Sequence, residues 1–167
     1  MLSDAAKKEI KRLMAQYPDT RSALMPALYI AQNEYGWLPQ EALDQVGELM
    51  GLTATQVGSV ASFYGMYYVR PVGKHVIDFC TDMPCGLVGA DKVYVRLRER
   101  LGLGPGEETT ADGEITLRPA MCLGGCHRAP ILLLDNQEQL DNLTDAQLDQ
   151  LIERLRVPAP AAPSKQP

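Results

Sequence analysis

The stretch His75-Val76-Ile77-Asp78-Phe79-Cys80, followed at once by Thr81-Asp82-Met83-Pro84-Cys85-Gly86, decides the fold of the C-terminal half of this chain. The β-branched and aromatic run from His75 to Phe79 reads as a strand that ends at Cys80. The loop holding Cys85 then leads into a helix whose buried face is Val93, Tyr94, Leu97 and Leu101, stopped by Gly102. A thiol therefore stands at the end of a strand and a second one at the mouth of the helix that follows. The chain has two further cysteines, Cys122 and Cys126. Four residues separate the first pair, three the second, and 36 lie between the pairs.

Working outward, Asp112-Gly113 is a strong turn signal, and Ile115-Thr116-Leu117 alternates like a strand. After the second cysteine pair, Ile131 to Leu134 is a continuous apolar run of the kind found at a sheet centre. Thr144-Asp145-Ala146-Gln147 has the capping-box form and opens a helix with Leu148, Leu151, Ile152 and Leu155 inward. Residues 71–156 thus read as β-α-β-β-α. Residues 157–167, with four prolines and three alanines, are expected to form a disordered tail.

Residues 1–70 carry helical periodicity only. Ala6, Ile10, Leu13, Met14 and Tyr17 recur at helix spacing, and the Tyr17-Pro18 step is expected to end that helix. A second helix is predicted from about Ser22 to Tyr35, with Pro26 in its first turn and Gly36 closing it. Ala42, Leu43, Val46, Leu49 and Met50 mark a third, closed by Gly51. Thr53-Ala54-Thr55-Gln56 is a capping box for a fourth, with Val57, Val60, Ala61 and Tyr64 as its stripe. The fold class is therefore α+β: a small N-terminal helical bundle, residues 1–70, followed by a mixed domain.

A chain of 167 residues can bury a core without help from disulfides. The longest purely aliphatic run, Ile131 to Leu134, is far short of the ~20 residues that span a bilayer. A net charge of −5 argues against a nucleic-acid partner. Lys92, Arg96, Arg98 and Arg100 alternate with Glu99 on a predicted helix and read as its solvated face. The opening Met1-Leu2-Ser3-Asp4 lacks the basic and apolar regions of a secretory signal, which points to a reducing compartment where disulfides are disfavoured. Paired cysteines in Gly- and Pro-containing loops then read as one metal site, since four thiolates from two loops are what Fe-S and structural zinc centres use.

The order β-α-β-β-α, with chemistry at the first β-to-α junction, is the thioredoxin arrangement. Thioredoxin enzymes space their reactive cysteines by two residues; four intervening residues do not suit that dithiol chemistry. Both cysteine pairs fall at one end of the sheet and can reach one point.

Further segments carry a resemblance: Gly36-Trp37-Leu38-Pro39, Ala61-Ser62-Phe63-Tyr64, Pro71-Val72-Gly73-Lys74-His75, Gly106-Glu107 with Asp112-Gly113, and Cys122-Leu123-Gly124-Gly125-Cys126-His127-Arg128-Ala129-Pro130. With these, residues 1 to about 156 resemble the thioredoxin-like [2Fe-2S] ferredoxin subunit of NADH-quinone oxidoreductase, the E subunit family of complex I. The resemblance implies that Cys80, Cys85, Cys122 and Cys126 ligate one [2Fe-2S] cluster. It implies an electron-transfer subunit of an NADH dehydrogenase, with no complete active site on this chain, whose cluster exchanges electrons with the FMN of a partner that also binds NADH. The other peripheral-arm subunits are implied partners, and the location is cytoplasmic, peripheral to the inner (plasma) membrane through the complex. The same module would serve an NAD-dependent hydrogenase or a formate dehydrogenase. A four-cysteine zinc interaction module and a dithiol oxidoreductase are the more distant alternatives.

Around the cysteines, Gly86, Gly124 and Gly125 are expected to let backbone N–H groups approach the sulfurs and tune the cluster. Asp78 and Asp82 would oppose an added electron if they face it, and Arg128 would favour it. His127 is not needed as a ligand when four cysteines saturate the site, and His75 reads as an ordinary packed or surface histidine. Pro130 stands where thioredoxin-like folds often carry a cis proline. Gly102-Leu103-Gly104-Pro105-Gly106 follows a helix and so reads as a helix stop and turn, not a dinucleotide loop. Trp37, Phe63, Tyr64, Tyr67 and Tyr68 read as core or interface aromatics, and the N-terminal bundle as the candidate surface for subunit docking.

Overall fold

The computed structural model describes residues 1–156, so the tail expected over 157–167 lies outside the described residues. The chain divides into two compact units, Met1–Val72 and a second beginning at Gly73.

In the first unit, helix α1 spans Asp4–Met14, and the Ser3 side chain accepts from the Ala6 N–H at 3.2 Å. It ends three residues before the Tyr17-Pro18 step. The predicted second helix is in two parts, a 3-10 turn Thr20–Ala23 capped by Asp19 and helix α2, Leu24–Tyr35. The Asp19 carboxylate takes the Arg21 N–H at 2.9 Å, a local bond that starts the chain turning earlier than apolar spacing alone suggests. Gly36 closes α2 at φ 80°, a left-handed conformation that glycine adopts without steric cost. Helix α3 spans Gln40–Met50 and α4 spans Ala54–Phe63, the latter opened by the expected reciprocal capping box of Thr53 and Gln56. Ile10, Leu24, Leu28, Leu38, Val46 and Val57 form the core of this bundle. The buried Gln32 amide donates to the Met66 carbonyl at 2.9 Å and accepts from the Tyr68 N–H at 2.6 Å, which fastens the segment after α4 to α2. Tyr67 and Tyr68 are buried, whereas Phe63 is 79% exposed.

The second unit is a four-stranded sheet with helices against it. Strand β1 spans His75–Cys80, helix α5 Met83–Leu87, helix α6 Ala90–Leu101, β2 Ile115–Ala120, β3 Leu132–Leu134, β4 Glu138–Leu140 and helix α7 Asp145–Arg156. The sheet order is β2-β1-β3-β4. β1 runs parallel to β2 and antiparallel to β3, and β3 pairs antiparallel with β4. Parallel strands need a crossover of a dozen or more residues, which α5 and α6 supply. Phe79, Ile77, Leu97, Leu117, Ile131, Leu132 and Leu148 lie at the centre of this unit's core. The mixed α+β, thioredoxin-like class holds, with two elements added to the order expected from sequence.

Those additions have local causes. Helix α5 is only five residues long, too short to display an apolar period, and is set by its ends: the Asp82 carboxylate accepts from the Met83 N–H at 2.9 Å, and Pro84 occupies the first turn. Cys85 therefore sits on a helical turn and not in an irregular loop. Strand β4 is polar and lies at the sheet edge, so it lacks the alternation of a half-buried strand. The turn before it uses two consecutive left-handed residues, Asp135 at φ 52° and Asn136 at φ 56°, closed by the Gln137 N–H on the Leu134 carbonyl at 2.9 Å. Among the described residues, no helix is long and apolar enough to cross a membrane.

Candidate metal centre

The register of β1 against β2 brings the two cysteine pairs to one end of the sheet. Pairing runs in step from His75↔Ile115 to Cys80↔Ala120. Because the strands are parallel, both chain segments leave the sheet on the same side. Cys80 is the last residue of β1, and Cys85 lies in the third position of α5. Cys122 follows Ala120 by two residues. Cys126 opens a 3-10 turn, Cys126–Arg128, from which a cis Ala129-Pro130 peptide leads into Ile131 and β3. All four are free thiols. Cys80 and Cys85 are buried; Cys122 and Cys126 are exposed.

Ile131 ties these segments together through its backbone. Its carbonyl accepts from the Cys80 N–H at 3.1 Å, and its own N–H hydrogen bonds to the Cys85 sulfur. The Cys80 thiol lies 3.8 Å from the Met121 carbonyl as donor, linking the first cysteine to the loop that carries the second pair. Burial pushes the Cys85 thiol up to about 11, aided by its hydrogen bond with Cys80 and by repulsion from Cys80 and Cys126, while the Ile131 N–H works against the rise. Three of the four sulfurs thus feel one another. Among the described residues, no three His, Cys, Asp or Glu side chains converge closely enough to hold a metal ion.

The charges near this end are mostly paired. Asp78, two residues before Cys80, accepts from Arg118 Nε at 2.8 Å and Nη2 at 2.9 Å. Asp82 is used in capping α5. Arg128 donates to Asp141 at 3.0 Å on the surface. The Gly86 N–H donates to the Asp82 carbonyl at 2.9 Å within α5, so it does not face a sulfur; the donor to Cys85 comes from Ile131, a residue whose apolar side chain gives no hint of this in the sequence. His75 Nδ1 stands 2.8 Å from Asp135 Oδ2, away from the cysteine end of β1, and His127 is exposed. Gly102 caps α6 at φ 73°, and the Gly104 N–H donates to Glu107 at 2.8 Å, a helix stop and turn. The donor set itself, four unoxidised cysteine sulfurs on two segments leaving one sheet end, has the chemistry that a [2Fe-2S] cluster requires.

A profile of the thioredoxin-like [2Fe-2S] ferredoxins matches residues 10–156. The chain belongs to that family. The E subunit of NADH-quinone oxidoreductase from Pseudomonas aeruginosa is 40% identical over 141 residues, covering 84% of each chain. Its counterpart in Escherichia coli K12 is 36% identical over 155 residues, covering 93% of this chain and 92% of that one. The Mycobacterium tuberculosis H37Rv counterpart is 39% identical over 157 residues, which are 94% of this chain but 62% of the relative. The chain therefore spans under two thirds of the length of its mycobacterial relatives. Among solved structures, a chain of an air-oxidised NAD+-reducing [NiFe]-hydrogenase superposes with a TM-score of 0.69 at 26% identity, over 82% of this chain and 23% of that one.

Proposed function

We propose that this ferredoxin is the electron-transfer subunit of an NADH-quinone oxidoreductase, with Cys80, Cys85, Cys122 and Cys126 as the ligands of one [2Fe-2S] cluster. The observation that carries this is the parallel Cys80↔Ala120 register, which delivers both pairs to one sheet end; the relatives from NADH-quinone oxidoreductases support the choice of complex. When bound, the cluster supplies a one-electron redox centre. Loading it requires the exposed Cys122 and Cys126 to turn toward the buried Cys80 and Cys85 and all four thiols to lose their protons. The chain's own part is to hold those sulfurs, to donate the Ile131 N–H to one of them, and to keep water from the inner pair.

The electron is exchanged, in this reading, with the FMN of a partner subunit that also binds NADH, and the complex as a whole is the NADH dehydrogenase. Residues 71–156 are the cluster domain and residues 1–70 serve subunit docking, with Phe63 and Tyr64 as exposed contacts. Met83, Leu87, Val88 and Met121, all exposed, flank the cysteines and form a second contact of the kind that marks interaction sites. The protein is peripheral to the cytoplasmic face of the membrane through its complex. The likeness to a hydrogenase chain supports a second reading, the same module in an NAD-linked hydrogenase.

Anaerobic purification should give a red-brown protein with two irons and two sulfides per chain and an electron paramagnetic resonance signal on one-electron reduction. Cys80→Ser and Cys126→Ser should each abolish or strongly alter that signal. A colourless, zinc-loaded product would sink the proposal, and copurification from the native host of hydrogenase subunits, in place of the membrane subunits of a quinone-linked complex, would favour the second reading.

A further inference from the structure

We propose that the Asp78–Arg118 ion pair sets the reduction potential of the cysteine-bound cluster by cancelling charge behind Cys80; this rests on the ligand assignment above. Strand alternation puts Asp78 on the same face of β1 as Cys80, about 7 Å along the strand. Its partner in the ladder is Arg118, two residues before Ala120 and four before Cys122. The pair therefore stands in the last paired stretch of both strands before both ligand segments.

Its geometry makes it a fixed charge distribution. Arg118 grips the carboxylate with two nitrogens, at 2.8 Å and 2.9 Å, and the Asp78 side chain is 11% exposed and that of Arg118 23%. A planar bidentate pair of this kind holds its orientation better than a single contact. The other charges near the cysteines differ: Arg128 is 58% exposed where it meets Asp141, so water and salt screen it. Asp78 and Arg118 are less exposed than Arg128 and Asp141, so water and salt screen their field less. Together they nearly cancel; separately they do not.

The consequence is a pair of opposite shifts. Asp78→Asn leaves the Arg118 cation, which favours the extra electron and raises the midpoint potential. Arg118→Gln leaves the Asp78 anion and lowers it. One unit charge roughly 10 Å from the cluster, at the effective dielectric of a partly buried site, changes the reduction equilibrium on the order of tenfold, or about 59 mV for one electron. The double variant Asp78→Asn/Arg118→Gln should return close to the wild-type potential, and Arg118→Lys should keep most of it.

The test is a mediated redox titration of the purified, cluster-loaded protein, read by visible absorption, with thermal unfolding of the cluster-free forms alongside. Opposite shifts in the single variants with recovery in the double support the proposal. Equal-sign shifts, or unchanged potentials in variants that retain full cluster absorption, overturn it and leave the pair as a structural bridge between β1 and β2. If the wild-type protein holds no iron, the ligand assignment falls instead. Should a single variant fold poorly, the double variant and Arg118→Lys still decide: a tenfold change in either, with the cluster intact, contradicts charge cancellation.

Discussion

Replacing Gly125 by alanine should damage both the stability of the second unit and its capacity to hold a cluster, for a reason that can be worked from distances. A Cβ at this buried position would lie 2.7 Å from Gln139 Nε2 and 2.9 Å from Ile131 Cδ1. Gln139 is an exposed edge-strand side chain and can swing away. Ile131 has no exposed surface, and its backbone holds both Cys80 and Cys85. The backbone of Gly125, at φ −107°, is ordinary, so the cost is steric. Overpacking of this type costs about 1–3 kcal/mol, and a destabilisation of about 2 kcal/mol lowers the melting temperature by roughly 4–8 °C in a chain of this size. Removing the Ile131 Cδ1 methyl should relieve the clash, so Ile131→Val, which alone costs about 0.5–1.5 kcal/mol, should be neutral or restoring when added to Gly125→Ala. Gly58→Ala, in α4 with nothing within 4 Å of the new Cβ, should instead raise stability by about 0.5–1 kcal/mol. Thermal unfolding of the cluster-free proteins and iron per chain after anaerobic reconstitution measure both effects. A Gly125→Ala protein that melts and loads like the wild type, or an Ile131→Val change that adds its full cost on top, would refute the reasoning.

Further outcomes follow from the same contacts. The Cys85 thiol rises from its ordinary 9.0 to about 11, so the folded cluster-free protein holds this proton more tightly than the unfolded chain. That stabilisation is complete below pH 9 and is lost as pH climbs toward 11; at about 1.4 kcal/mol per unit it is worth up to roughly 3 kcal/mol, and urea unfolding at pH 8 and pH 11 should show a fall that Cys85→Ala lacks. Thr53→Ala removes the acceptor for the Gln56 N–H at the start of α4 and should cost about 1 kcal/mol without changing iron content, measured by unfolding and iron assay on one preparation. Leu28→Ala, at a position with no exposed surface in the bundle core, should cost about 2–5 kcal/mol and leave the visible spectrum of the second unit intact.

How far the fold is legible in the sequence depends on how each element is specified. The long helices announce themselves because apolar spacing repeats over two or more turns, as in Ala42, Leu43, Val46 and Met50 of α3, and because Thr53 with Gln56 and the left-handed Gly36, Gly51 and Gly102 mark their ends. β1 and β3 are visible because both are interior strands with continuous apolar or β-branched side chains. What escapes are elements whose stability comes from neighbours. β4 exists because β3 offers it a ladder, and its residues Glu138 and Gln139 carry no pattern of their own. α5 is one turn whose only signals are a capping aspartate and a proline, and those mark a loop as readily as a helix.

The cysteine site divides along the same line. The candidate thiols are visible in composition, since the chain has four and they come in two pairs. What surrounds them is written in register. Asp78 and Arg118 are 40 residues apart, and Asp78, which reads in the sequence as a charge opposing an added electron if it faces the cluster, has a guanidinium directly across the ladder from it. Gly86 reads as an N–H donor because it adjoins Cys85, yet α5 uses that N–H internally and Ile131 donates from 46 positions away. A slip of one residue between β1 and β2 would leave the same four cysteines in the chain, turn Arg118 to the other face, and carry Cys122 out of step with Cys80. What brings the two cysteine pairs to one end of the sheet is therefore the pairing of Cys80 with Ala120, which no local motif contains.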